Sequence, residues 1–172
     1  IGGGDIRFPG NKRKDSEEVY IEHSFAEIAD FCKWRYIDTL SEYVELNEGP
    51  EIWDFLMEVW LAMKNAIDEG LSREGVLPGG LGIQRKALTY LNKSMSYNAA
   101  VSSKAKLYAY ALATSEEHAS GSTIVTTPTC GSSGVLPAVL YHLSTAHNCS
   151  DARILRAIAT AGLFGNVAKE HA

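Results

Sequence analysis

Cysteine is scarce in this chain, and so are proline and long apolar runs. Cys32, Cys130 and Cys149 are an odd number at irregular spacing, which is no disulfide framework and fits a reducing, cytoplasmic setting. No apolar stretch approaches the roughly 18 residues of a membrane-crossing helix. The opening residues are Gly-rich and then basic, without the apolar centre of a secretion signal. Positive charge is not in excess either: the net charge of −5 argues against a nucleic-acid surface. Gly79-Gly-Leu-Gly82 lacks the spacing of both common phosphate loops. His142, His147 and Cys149 match no common zinc spacing and read as loop histidines plus a thiol near a helix cap. No internal repeat and no pyridoxal-lysine motif is visible.

What is present is an ordinary globular composition. The 172 residues are 45% apolar and 22% charged, enough for one domain with a core. Residues 1–16 carry no hydrophobic period and read as a linker, with Asn11-Lys-Arg-Lys14 at a solvated tip. Residues 17–172 read as one helical domain. The start at Ile1 rather than Met suggests a fragment.

Helical signals dominate that domain. Ser24 and Glu27 have the form of a capping box. Phe25, Ile28, Ala29, Cys32 and Tyr36 follow as one apolar stripe, which makes Cys32 a core residue. Asn47-Glu-Gly-Pro50 breaks the helical region, and Pro50 suits the first position of the next helix. Ile52, Leu56, Val59, Met63 and Ile67 continue it, widened by Trp53, Met57 and Trp60, so this helix is buried, with Gly70 as its stop. Residues 72–82 read as a loop. Ala99–Glu117 is rich in small helix formers; Glu116 and His118 read as its solvated end, and Gly121 as its exit. Ile124–Thr127 is the one credible extended segment. Ser150 caps a last helix from Asp151 to about Lys169, whose Ala residues, Gly162 and Gly165 imply tight helix contacts. The fold class is all-α, with five to seven helices and at most one short extended segment.

The most informative stretch is Ile124-Val-Thr-Thr-Pro-Thr-Cys-Gly-Ser-Ser-Gly-Val-Leu-Pro-Ala-Val-Leu140. Its glycines allow close backbone approach to a ligand. A helix over Val135–His142 would turn its positive end toward Cys130 and favour the thiolate. The competing reading is a β-strand, a turn and a core helix with a buried thiol. Arg85 and Lys86 likewise read either as a solvated pair or as a carboxylate clamp.

Four blocks in order resemble one family. Thr126, Pro128, Thr129, Gly131, Gly134 and Pro137-Ala-Val-Leu140 resemble the T-x-P-T-x-G-x-x-G-x-x-P-A-V-L signature of iron–sulfur-dependent L-serine dehydratases, in the catalytic α-domain. Glu74-Gly-Val-Leu-Pro-Gly79 with Arg85-Lys-Ala87 resembles a second block, and Ala111-Leu-Ala-Thr-Ser-Glu-Glu117 the helix ahead of the signature. Ile1-Gly-Gly-Gly4 resembles the segment joining a small β-domain to the α-domain.

The resemblance implies a lyase that converts L-serine to pyruvate and ammonia, in which an open iron of a [4Fe–4S] cluster acts as Lewis acid. It implies a β-domain or β-subunit as partner and allows a homodimer. It assigns carboxylate recognition to Gly2, Gly3, Gly4, Arg85, Lys86, Thr126 and Thr129, a mixture of backbone donors, hydroxyls and cations that suits an anion. Glu117 matches a family Glu and supports the site. The catalytic base is not identified. The chain departs from the pattern at Ser133, where the family carries a cluster cysteine; the thiol here is Cys130, three positions earlier, which becomes the candidate ligand. The family's remaining cluster cysteines would fall beyond Ala172, so this fragment is expected to be inactive alone and to lack the cluster. The competing readings are a related iron–sulfur lyase for another amino acid, such as L-cysteine, and a helical interaction domain without chemistry.

Overall fold

A computed structural model of the protein describes residues 19–126 and 133–170, and these form seven helices. In order they are α1 (Phe25–Arg35), α2 (Leu40–Glu48), α3 (Ile52–Ser72), α4 (Ala87–Ser94), α5 (Ala99–Ala119), α6 (Val135–His147) and α7 (Asp151–Glu170). The all-α expectation holds. The lead-in 1–16 and residues 127–132 around Cys130 lie outside the described residues.

The helix starts follow from local chemistry. At α1 the Ser24 hydroxyl accepts from the Glu27 N–H while the Glu27 carboxylate accepts from the Ser24 N–H, the reciprocal box expected from sequence. Thr39 and Glu42 repeat the device at α2. Gly49, at φ 84°, closes α2, and Pro50 sits in the turn before α3. The α1 stripe is narrower than its spacing suggests. Ile28 and Cys32 are buried, but Phe25 and Ala29 are exposed, and Tyr36 is a left-handed C-cap that is 93% exposed. The chain turns at Tyr36, so the stripe cannot continue there.

The long helix α3 is shared between two apolar cores. Leu56, Trp60 and Met63 pack with Ile28, Cys32, Tyr43, Leu140 and the α7 residues Ile154, Ile158 and Leu163. One turn on, Ile67 packs with Ala87, Tyr110, Ala113 and Ala138. Trp60 is fully buried, and its indole N–H donates to Asp151 Oδ1 at 3.1 Å, which ties α3 to the start of α7.

Gly70 does not stop α3, which runs on to Ser72. A Cβ at Gly70 would lie 2.8 Å from the Ala113 Cα and closer still to its carbonyl oxygen, so this glycine lets α3 touch the backbone of α5. Gly134, the N-cap of α6, does the same two residues earlier on α5: a Cβ there would lie 2.7 Å from the Ala111 carbonyl oxygen. Gly162 differs. It faces open space, so the tight contact expected of it is absent.

Extended pairing also falls elsewhere than expected. Residues 122–126 form no ladder, whereas Val76 and Gln84 pair as an antiparallel bridge. Leu77 N–H donates to Ile83 O and Arg85 N–H to Gly75 O, each at 2.8 Å, so residues 75–85 form a small hairpin. Gly75, Gly79 and Gly82 take positive φ in it, which is why the turn is glycine-rich.

Gly70 and Gly162 should therefore respond to alanine with opposite signs. Gly70→Ala should destabilise by about 1–3 kcal/mol, because the clash with α5 outweighs the gain in helix propensity. Gly162→Ala should stabilise by up to about 1 kcal/mol. Urea unfolding midpoints of the two variants check both.

Candidate functional site

The C-terminal half of α5 gathers three of the sequence blocks. The hairpin and the start of α4 wrap one side of it, and the N-terminus of α6 rests on the other. The signature's Gly134 sits on Ala111 and Ser115, while Arg85, Lys86 and Ala87 meet Glu116 and Glu117.

Glu117 is the most connected of these side chains, at 1% exposure. Its Oε1 accepts from Arg85 Nη1 at 2.8 Å, and its Oε2 accepts from Arg73 Nη1 at 2.8 Å and from the Ser122 hydroxyl at 2.5 Å. Burial pushes its carboxyl pKa up. The hydrogen bonds from Ser122 and Arg85, with the charges of Arg73 and Arg85, outweigh that and leave it below the ordinary carboxylate range. Arg85 is itself buried, and its Nη2 donates to Ser120 Oγ at 2.5 Å.

Glu116 corrects a reading made from sequence. It is not a solvated helix end but 5% exposed. Its Oε1 accepts from the Lys86 N–H at 2.6 Å and the Ala87 N–H at 3.2 Å, so a carboxylate from another helix caps the N-terminus of α4. Its Oε2 is buried without a hydrogen bond, 4.0 Å from Arg85 Nη1. Adjacent residues on one helix do point apart, yet both glutamates are covered because the loop and α4 enclose this end of α5. The one available signal was charge complementarity, with Arg73 and Arg85 bracketing the loop and a Glu pair near the end of α5. His118 is exposed, as expected.

The other site expectations divide. Arg85 is no solvated residue, while Lys86 is exposed and only its backbone is engaged. Thr126 is exposed. Gly2, Gly3, Gly4, Thr129 and Cys130 lie outside the described residues. The described flanks of the signature, Val125 and Ser133, both line a cavity of about 340 Å³ between α2, α3, α6 and α7. Its walls are mainly apolar, among them Leu56, Met63, Leu136 and Ile158, with Glu48 and Asn166 as polar exceptions.

The helix behind Cys130 begins at Val135, close to expectation, and Gly134 caps it without a side-chain hydrogen bond. His142 is not in a loop but on α6, where Nε2 lies 3.0 Å from Ser103 Oγ; burial, then the nearby His147 and Lys106, lower its pKa and favour the neutral ring. Among the described residues no group of three or more His, Cys, Asp or Glu is placed to hold a metal ion. Cys32 lies in the apolar core, where burial and Glu22 raise its thiol pKa, away from the thiolate that iron requires. Cys149 packs against the same core. The described thiols therefore do not fit an iron–sulfur cluster. No helix among the described residues is long and apolar enough to cross a membrane.

Removing the Glu117 charge leaves the buried Arg85 side chain with only the Glu116 carboxylate, 4.0 Å away, so Glu117→Gln should cost up to about 3–5 kcal/mol at neutral pH. A carboxyl held low in the folded state stabilises above its unfolded pKa, near 4.5, and that contribution fades as pH falls through the folded value. The stability gap between wild type and Glu117→Gln should thus narrow below about pH 4.5. Urea melts at a series of pH values measure it; a gap that stays constant into acid would remove Glu117 as the charged partner.

This geometry coincides with similarity to known proteins. The family model described as serine dehydratase alpha chain matches residues 16–172. The L-serine dehydratase of Streptomyces coelicolor is 36% identical over 128 residues, covering 73% of this chain and 28% of that protein. L-serine dehydratase TdcG of Escherichia coli is 29% identical over 185 residues, covering 100% of this chain and 41% of that protein. The L-serine dehydratase of Haemophilus influenzae is 32% identical over 186 residues, with the same coverage of 100% and 41%. The chain thus spans well under half the length of these relatives. It belongs to the serine dehydratase alpha chain family.

Proposed function

We propose that the protein containing this chain is an L-serine ammonia-lyase, which removes water from L-serine and releases pyruvate and ammonia. The observation that carries the reading is the meeting of three family blocks on one half of α5: hairpin, Glu116–Glu117 helix and signature helix. The relatives named as L-serine dehydratases support it.

In this reading the α-proton and the β-hydroxyl leave L-serine as water, and the resulting enamine hydrolyses to pyruvate and ammonia. The substrate carboxylate is held by Gly2, Gly3, Gly4, Lys86, Thr126, Thr129 and Arg85. Arg85 enters that set with both Nη atoms already engaged by Glu117 and Ser120. Much of its contribution is therefore to fix the hairpin and the neighbouring Lys86, which is exposed and whose ammonium has no partner among the described residues. A cluster of the kind the resemblance implies would take Cys130 as its ligand from this chain, since Cys32 and Cys149 belong to the core. A β-domain or β-subunit as partner and a cytoplasmic location complete the proposal.

The test is pyruvate formation by the full-length protein, prepared without oxygen, from L-serine and in parallel from L-cysteine. L-serine is expected to be the better substrate; preference for L-cysteine would transfer the same scaffold to that amino acid. Arg85→Ala should lower kcat/KM by about 100-fold, the cost of a misplacement near 1 Å. Cys130→Ser should lower bound iron, read by metal analysis, while Cys32→Ser should not. Full iron content in Cys130→Ser would make that thiol a packing residue.

A further inference from the structure

We propose that Glu117 is a positioning residue for the lyase, the joint that sets the hairpin and the entry to the signature at a fixed separation. This rests on the lyase reading above. Glu117 is 1% exposed, so it acts through its neighbours rather than on substrate. Its two oxygens divide their partners among three places in the chain. Oε1 takes Arg85, at the closing end of the hairpin, and Oε2 takes Arg73, just before the hairpin opens. Oε2 also takes Ser122, the first residue after the turn that ends α5, and the Ser122 N–H donates to the Glu117 carbonyl at 3.0 Å.

Two of those partners, Arg85 and Ser122, lead on to a residue of the substrate set. Lys86 follows Arg85, and its backbone is fixed by the neighbouring Glu116. Thr126 lies four residues beyond Ser122, on the strand of chain that enters the signature. The hairpin is closed at its base by the Arg85 N–H and the Gly75 carbonyl, so a hold on Arg85 is a hold on the whole turn. One buried carboxylate therefore bridges two motif segments that no backbone ladder joins among the described residues. Its charge supplies the strength, and the length of its side chain supplies the distance.

Charge and length can be separated experimentally. In full-length protein, Glu117→Gln removes the charge, and Glu117→Asp keeps it on a side chain shorter by one methylene. Amide hydrogen exchange, thermal melting and the L-serine kinetics are read for both. Glu117→Gln is expected to speed exchange in residues 75–85 and in 122–126 together. Glu117→Asp is expected to recover most of the melting midpoint yet stay about 100-fold low in kcat/KM, because the segments are held at a shifted distance. Glu69→Gln, which removes only the second partner of Arg73, should leave exchange and kinetics unchanged. Recovery of activity along with stability in Glu117→Asp would overturn the proposal, since charge alone would then suffice. So would faster exchange in only one of the two segments, or kcat/KM within threefold of wild type in Glu117→Gln. If wild type itself forms no pyruvate from L-serine, the lyase reading fails and the positioning role with it. The exchange data then still show separately whether Glu117 joins the two segments.

Discussion

Backbone contact with α5 is the constraint on which the structure depends. Two glycines allow it, Gly70 from α3 and Gly134 from the start of α6, and each meets a small residue of the same helix, Ala113 and Ala111. Those alanines belong to the Ala111-Leu-Ala motif, so the motif is a packing surface as well as a family marker. At such short range there is no room for a side chain at either glycine.

On that frame the charges are arranged to be satisfied almost completely. Burying three ionised side chains, Arg85, Glu116 and Glu117, is costly unless each is paired and hydrogen-bonded. Glu117 meets the condition with two arginines and a hydroxyl, and Glu116 meets half of it by capping α4. The remaining Glu116 oxygen, with Arg85 Nη1 at 4.0 Å, is the least satisfied point of the cluster. Such networks specify one arrangement strongly, because a shift of any member exposes another to an unpaired state. That suits a region that must hold two loops still.

Much of this was legible in the sequence. The capping box at Ser24, the breaks at Gly49 and Gly121, the buried face of α3 and the helix after Gly134 all follow from local rules, and the structure keeps them. The failures have one cause in common. Gly70 read as a helix stop, Glu116 as a solvated end and Gly162 as a contact point because each was judged by its own neighbours in the chain. Their roles are decided by what another helix brings: Ala113 against Gly70, the start of α4 against Glu116, and open space beside Gly162. The Val76–Gln84 bridge was missed for a related reason, since glycine-rich loops without β-branched runs carry little strand signal. At the site, the residue types were readable and the commitment of Arg85 to Glu117 was not, because a buried pair and a substrate clamp look alike in one dimension.

The Trp60–Asp151 hydrogen bond spans 91 residues of sequence. It joins the middle of the third helix to the first residue of the last, and that last helix brings Ile154, Ile158 and Leu163 onto the same core. During synthesis, therefore, the face of α3 that carries Leu56, Trp60 and Met63 emerges from the ribosome well before α7 exists to cover it. At ordinary elongation rates of roughly 5–20 residues per second, that interval lasts several seconds. For that time the nascent chain displays this apolar face without its lid, and its safe arrival depends on how quickly the remainder follows or on a chaperone that takes the place of α7.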